Sequence, residues 1–300
     1  MLKFLKDWTL PIAMGIGAIG YPVFMYLSFI TPALIFVMLL LTFCKISLRD
    51  LRITPMHLWL LSIQILGALL VYLLIFRFNK IVAESALICI IAPTATAAVV
   101  ITSKLGGSAA SVTTYTLLAN VATAIAVPII FPLIEVHPDS SFLQAFFLIL
   151  GKVFPVLIVP ILLAWILQIV LPKIHRRLLT YHELSFYLWA ISLTIVTAKT
   201  INSLVESPAD VTTEIMIAVA ALIACGSQFF LGKTIGGIYK DRISGGQALG
   251  QKNTILAIWM AYTYLNPLAS VGPGSYVLWQ NIVNSWQLWK KRKKEEAENS

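Results

Sequence analysis

The chain has 300 residues, of which 59% are hydrophobic and only 12% charged, with a mean hydropathy of +0.87. Soluble domains carry about 25% charged residues, so this chain lacks the polar groups to coat a water-facing surface, which excludes a soluble globular fold. The net charge of +9 does not indicate nucleic-acid binding, because the basic residues sit in short loops between apolar runs, where they act as topology signals.

A lipid-spanning helix needs about 20 mainly apolar residues. Apolar runs at 8–28, 30–44, 55–76, 82–102, 109–134, 143–171, 184–205, 211–239, 243–264 and 270–289 predict ten transmembrane helices, hence an all-α membrane protein. The first follows the basic start MLKFLKDW, as a secretory signal peptide would. No small-x-small cleavage site comes after it and nine further apolar runs do, so it reads as the first span. The second run is short, and the ninth is interrupted by polar residues. The tail 290–300 opens with KKRKK, a cluster suited to anchoring against anionic headgroups. Residues 1–300 are therefore expected to form a single transmembrane unit without a soluble domain.

Placing the N-terminus in the cytoplasm puts sixteen of the 22 Lys and Arg residues on inner segments. Only Arg77 and Lys80 then fall outside, beside the acids Glu135, Asp139, Glu206 and Asp210. This positive-inside bias predicts a multi-pass protein of an inner or plasma membrane with both termini cytoplasmic. The three cysteines, Cys44, Cys89 and Cys225, lie scattered in apolar runs with no metal or disulfide spacing.

Four basic residues remain inside predicted spans: Lys152, Lys199, Lys233 and Lys252. Lys199 and Lys233 lie near span ends, where a long stem reaches the interface. Lys152 and Lys252 sit near mid-depth, where an ammonium is costly unless it faces protein or water. Only Glu84 and Glu214 among the acids fall within spans, both near the outer ends, so neither deep lysine has an evident counter-charge. An uncompensated positive charge suits a small organic anion as substrate. A desolvated lysine can alternatively release its proton, which would make Lys252 a coupling group.

Two runs contain helix breakers. The fourth, ICIIAPTATAAVVITSKLGG, places Pro93 in mid-span, and proline removes a helix hydrogen bond and clashes with the preceding turn. The ninth, ISGGQALGQKNTILAIWMAY, carries Gly250 within a glycine- and amide-rich stretch. Irregular backbone at membrane depth is tolerated only where protein or a wet cavity satisfies it. If the spans divide five and five (about 8–134 and 143–289), both breaks fall in the fourth span of a half. An odd count per half inverts the second half, the pattern of carriers whose substrate sits where two discontinuous helices cross. Half-helices starting near Thr94 and Asn253 would aim positive N-terminal ends at that crossing. Thr94, Ala95, Thr96, Asn253 and Thr254 are the expected substrate-binding set, with Lys252 and Lys152 as charge or coupling groups. The prolines Pro128, Pro132, Pro155 and Pro160 read as kinks, and the four histidines, His57, His137, His175 and His182, lie near span ends or in loops. There are no paired mid-span aspartates, no Ser–His or Ser–Lys arrangement at depth and no HExxH, so no catalytic, metal or cofactor site is expected.

At the two broken spans the sequence resembles the bile acid:sodium symporter family. The resemblance is specific in PTATAAVV with TYTLLANVATAIAVP, and in GQKNTILA with VGPGSYVLWQNIVNSW. It implies ten helices, with a core of spans 3–5 and 8–10 and a panel of spans 1, 2, 6 and 7. It also implies substrate contacts at Thr96 and Asn253. The family's sodium-ligand positions hold Ala98 and Val99 after the fourth-span proline, Ala124 and Pro128 in the fifth span, and Ala248 and Lys252 in the ninth. The expectation is therefore an alternating-access carrier of a small organic anion in which Lys252 stands where a cation would bind. A sodium-coupled symporter with a rearranged site, and a non-transporting membrane sensor or structural protein, are the alternatives.

Overall fold

Within lipid a helix satisfies its backbone from inside itself, and no strand occurs among the described residues. A computed structural model of the chain describes residues 8–46, 51–135, 141–181, 184–207 and 209–298. Lys3, Lys6, Arg49, His137, Asp139 and His182 lie outside them.

In chain order the helices are α1 (Thr9–Ile19), α2 (Tyr21–Phe24), α3 (Thr31–Phe43), α4 (Pro55–Ile75), α5 (Lys80–Ile91), α6 (Ala97–Leu105) and α7 (Ala109–Ile134). They continue as α8 (Phe142–Val170), α9 (Pro172–Thr180), α10 (Leu184–Glu206), α11 (Val211–Ile238), α12 (Arg242–Gly250), α13 (Thr254–Tyr264) and α14 (Val271–Glu298). Short 3₁₀ segments cover Met25–Ile30 and Pro267–Ser270. Among the described residues six helical segments are long and apolar enough to cross a membrane: Tyr21–Phe43, α4, α7, α8, α10 and α11. Their outward faces carry large apolar side chains, such as Leu74 at 63% and Ile169 at 73% exposure. Water would not tolerate so many together. The protein is an all-α integral membrane protein.

The first two apolar runs fold differently from the 8–28 and 30–44 division. The helix is interrupted at Gly20, and Tyr21–Phe43 forms one helical stretch of 23 residues. Proline explains the restarts: Pro22 and Pro32 each sit in the first turn of a new segment, where no N–H is required. By contrast Pro128, Pro132, Pro155 and Pro160 lie inside the continuous helices α7 and α8.

The chain forms two compact units. One holds α1–α3, α7 from Ala124, α8–α10 and α13 from Ile255. Here α10 packs on α1 and α3, and Gly17 lets α1 come so close that any Cβ would strike the Thr194 carbonyl oxygen. His175 of α9 places Nε2 2.8 Å from the Cys44 carbonyl oxygen and donates to it.

The other unit holds α4–α6, α7 up to Thr123, α11, α12 and α14. Its apolar core joins Met56 and Leu60 of α4 to Ala98, Val112, Tyr115, Ala119, Ala248 and Leu249. Asp210 caps α11, and the Thr213 hydroxyl at 2.6 Å and N–H at 3.2 Å hold its carboxyl below the usual carboxylate range. At the other face, Lys291 donates to the Lys104 carbonyl at the end of α6 (2.8 Å), while Lys290 and Lys293 lie over the rings of Trp286 and Trp289.

Backbone-to-backbone contact between α11 and α12 depends on glycine. A Cβ on Gly245 would collide with the Gly232 carbonyl oxygen and lie 2.8 Å from the Gly236 Cα. Gly245→Val is therefore expected to cost about 3 kcal/mol, as overpacking does, lowering the melting temperature in detergent. Gly151→Ala, where a Cβ meets nothing within 4 Å, should instead gain about 0.5–1 kcal/mol from helix propensity.

Candidate functional site

Both helix breaks lie in the second unit, and their local causes differ. Ala92 precedes proline, which disfavours helical ψ, and it turns to φ −54°, ψ 140°. α5 therefore stops at Ile91, and α6 resumes at Ala97. The second break has no proline. α12 is built from RISGGQALG, rich in glycine, the weakest helix former short of proline, and Gln251 leaves the helix at φ −99°, ψ 107°. Gly250 lies under the Phe229 ring, where a Cβ would collide.

The two extended segments meet. Ala95 N–H donates to the Gln251 carbonyl at 2.9 Å, and Asn253 N–H donates to the Pro93 carbonyl at 2.8 Å. These bonds make an antiparallel bridge centred on Thr94 and Lys252. The second unit thus crosses two interrupted helices at their unwound points.

Each half-helix ending at the crossing leaves terminal carbonyls without helical partners, and a buried orphan costs about 1–3 kcal/mol. Side chains take up that role. Gln64 Nε2 donates to the carbonyls of Ile91 (2.9 Å) and Ala92 (3.3 Å), and the Thr123 hydroxyl donates to Ile91 at 3.1 Å. Gln64 is in turn held by the Tyr115 hydroxyl, which donates to its Oε1 at 2.8 Å. On the other half-helix the Tyr276 hydroxyl donates to the Gly250 carbonyl (2.8 Å), and Gln280 Oε1 accepts from Lys252 N–H (2.9 Å).

Lys252 is 1% exposed, and its Nζ donates to the Ile90 carbonyl at 2.7 Å. Gln228 Nε2 reaches the same oxygen at 3.3 Å. Among the described residues no carboxylate pairs with Lys252. Its amino group sits at the C-terminal end of α5, where aligned peptide dipoles leave roughly −0.5 of an elementary charge and favour a cation.

The expected site residues take distinct places. Pro93 lies inside the first break, two residues past the end of α5, and Gly250 is the last residue of α12. Thr94 is not a free donor, because its hydroxyl donates to the Ala248 carbonyl at 2.6 Å and ties the two breaks together. The Ala95 N–H is likewise spent on Gln251. Thr96 is half-buried where α6 begins, and its hydroxyl makes no cap to the helix. Asn253 is half-buried, and Thr254 is the buried first residue of α13. The Lys252 amino group is bound to a backbone carbonyl. Lys152 belongs to the other unit and is exposed on α8.

The supporting residues Gln64, Tyr115, Thr123, Gln228, Tyr276 and Gln280 were not expected from the sequence. Their signal is faint: single amides or hydroxyls inside apolar runs, as in LLSIQILGALL. No family model matches the chain, and no curated protein is significantly similar to it. The crossing itself therefore carries the functional reading.

Proposed function

We propose that the protein is a carrier that moves a small organic anion by alternating access, exposing the crossing to one side of the membrane and then the other. In this reading the chain has ten spans in two inverted fives with both termini cytoplasmic, a bile-acid-symporter type of carrier that works without sodium. The observation that carries it is the buried Lys252 ammonium, unpaired with any carboxylate among the described residues, at the point where two interrupted helices bond to each other. A cation kept at mid-depth despite its desolvation cost is a functional feature by default. The first turns of α6 and α13 begin at the same crossing, and helix N-termini favour anions. Thr96 and Asn253, each half-buried there, supply side-chain donors for a carboxylate or sulfonate.

Uptake into proteoliposomes tests this. Labelled organic anions should accumulate or exchange at rates unchanged when sodium is replaced by potassium or choline. Thr96→Val should weaken uptake several-fold, in line with loss of one hydrogen bond worth about 1 kcal/mol. Strict sodium dependence would replace this reading with a sodium symporter. Ligand-induced stabilisation without uptake of any anion would instead indicate a sensor.

A further inference from the structure

A row of amides lies between α12 and α14, beside the Lys252 segment. α14 presents Gln280, Asn284 and Gln287 at spacings of four and three, one face of a helix. Gln280 accepts from Lys252 N–H, and Gln247 Nε2 of α12 donates to Asn284 Oδ1 at 3.0 Å. Gln247 and Asn284 are 1% and 3% exposed. Even so, among the described residues Gln247 Oε1 and Asn284 Nδ2 make no hydrogen bond to protein, and neither do Gln251 Oε1 and Gln287 Nε2. Turning the two bonded amides over changes nothing, since one donor and one acceptor are left over either way.

Buried polar atoms are almost always paired with protein or with ordered water. The leftover atoms here are of both kinds, donor N–H and acceptor oxygen. An anion offers only acceptors and would repel the amide oxygens. Water both gives and takes hydrogen bonds, and polar interior sites hold it. Beyond the row α14 runs on to the basic cluster. At 1.5 Å per residue, Gln280 to Lys290 covers about 15 Å, half of a hydrocarbon core of about 30 Å. Lys290 is exposed, and the basic cluster begins there. Lys252 Nζ has three N–H donors and, among the described residues, gives one to protein.

We propose that a file of ordered waters runs between α12 and α14, from the Lys252 segment to the Lys290 end of α14. It gives the crossing hydrated access from that one side of the membrane. It stands whether or not the protein transports an anion, because it rests on the amides alone.

Silver ion, small enough to follow water, reports the file. In a chain with Cys44, Cys89 and Cys225 replaced by alanine, Gln247→Cys and Leu249→Cys are compared in oriented vesicles. Both positions are buried, at 1% and 0% exposure. The cysteine at position 247 should react at least about tenfold faster than that at 249, only when silver is added on the Lys290 side. Adding Asn284→Leu should bring it down to the control rate. Equal protection of both cysteines, or reaction only from the opposite side, overturns the proposal. Should the variants not fold, an experimental density map of the unsubstituted protein decides. Solvent within hydrogen-bond distance of Gln247 Oε1 and Asn284 Nδ2 supports the file, and a dry interface with both atoms bonded to protein overturns it.

Discussion

Gln64→Leu is expected to lower stability by about 3–6 kcal/mol, enough to abolish a folded, monodisperse protein in detergent. The substitution is close in volume, so packing is not the cause. Gln64 is 0% exposed and serves four groups: the carbonyls of Ile91 and Ala92, and the hydroxyls of Thr123 and Tyr115. Leucine would leave Ala92 O and the Tyr115 hydroxyl without those bonds and Ile91 O with the Thr123 hydroxyl alone. At about 1–3 kcal/mol per buried orphan, the cost is several times that of an ordinary point change. Tyr115→Phe removes donor and hydroxyl together but leaves Gln64 Oε1 unpaired, so it should cost only about 1–2 kcal/mol. Thermal or denaturant unfolding of both variants checks the order. A Gln64→Leu protein as stable as the parent would mean that the break is satisfied in some other way.

This dependence explains what was legible in the sequence. The helices were, because a chain that is 12% charged has few other solutions in lipid. The first break was legible because proline acts on the residue before it, and Ala92 does leave the helix. The second was legible as a cluster of glycine and amide residues. The partners were not. Lys252 reaches a backbone carbonyl at Ile90, 162 positions away, and a carbonyl has no residue type to betray it. Thr94 shows the same limit from the other side. A threonine after a helix break reads as a ligand donor, but its hydroxyl is committed to Ala248. Spacing identifies which residues are polar at depth, whereas only the fold says which of their bonds are already used.

Lys252→Met should separate binding from stability. Holding a lone ammonium inside costs several kcal/mol of desolvation, and apolar replacements of buried charges are often neutral or stabilising. The opposing loss is the 2.7 Å bond to Ile90 O, which keeps Gln228 at 3.3 Å as a second donor. The ligand-free variant should therefore melt within a few degrees of the parent. Anion affinity should not survive so well. A unit charge about 8 Å from a bound carboxylate, at an effective dielectric of about 20, contributes about 2 kcal/mol, or roughly thirtyfold in Kd. Calorimetry or ligand-induced stabilisation with an organic anion that binds the parent protein measures the second effect, and unfolding without ligand measures the first. If affinity is unchanged and only stability falls, Lys252 is a clamp for the end of α5 and the charge reading is wrong. If affinity falls while the empty protein gains stability, the lysine is retained for the anion at a cost to the fold, the usual balance at a working site.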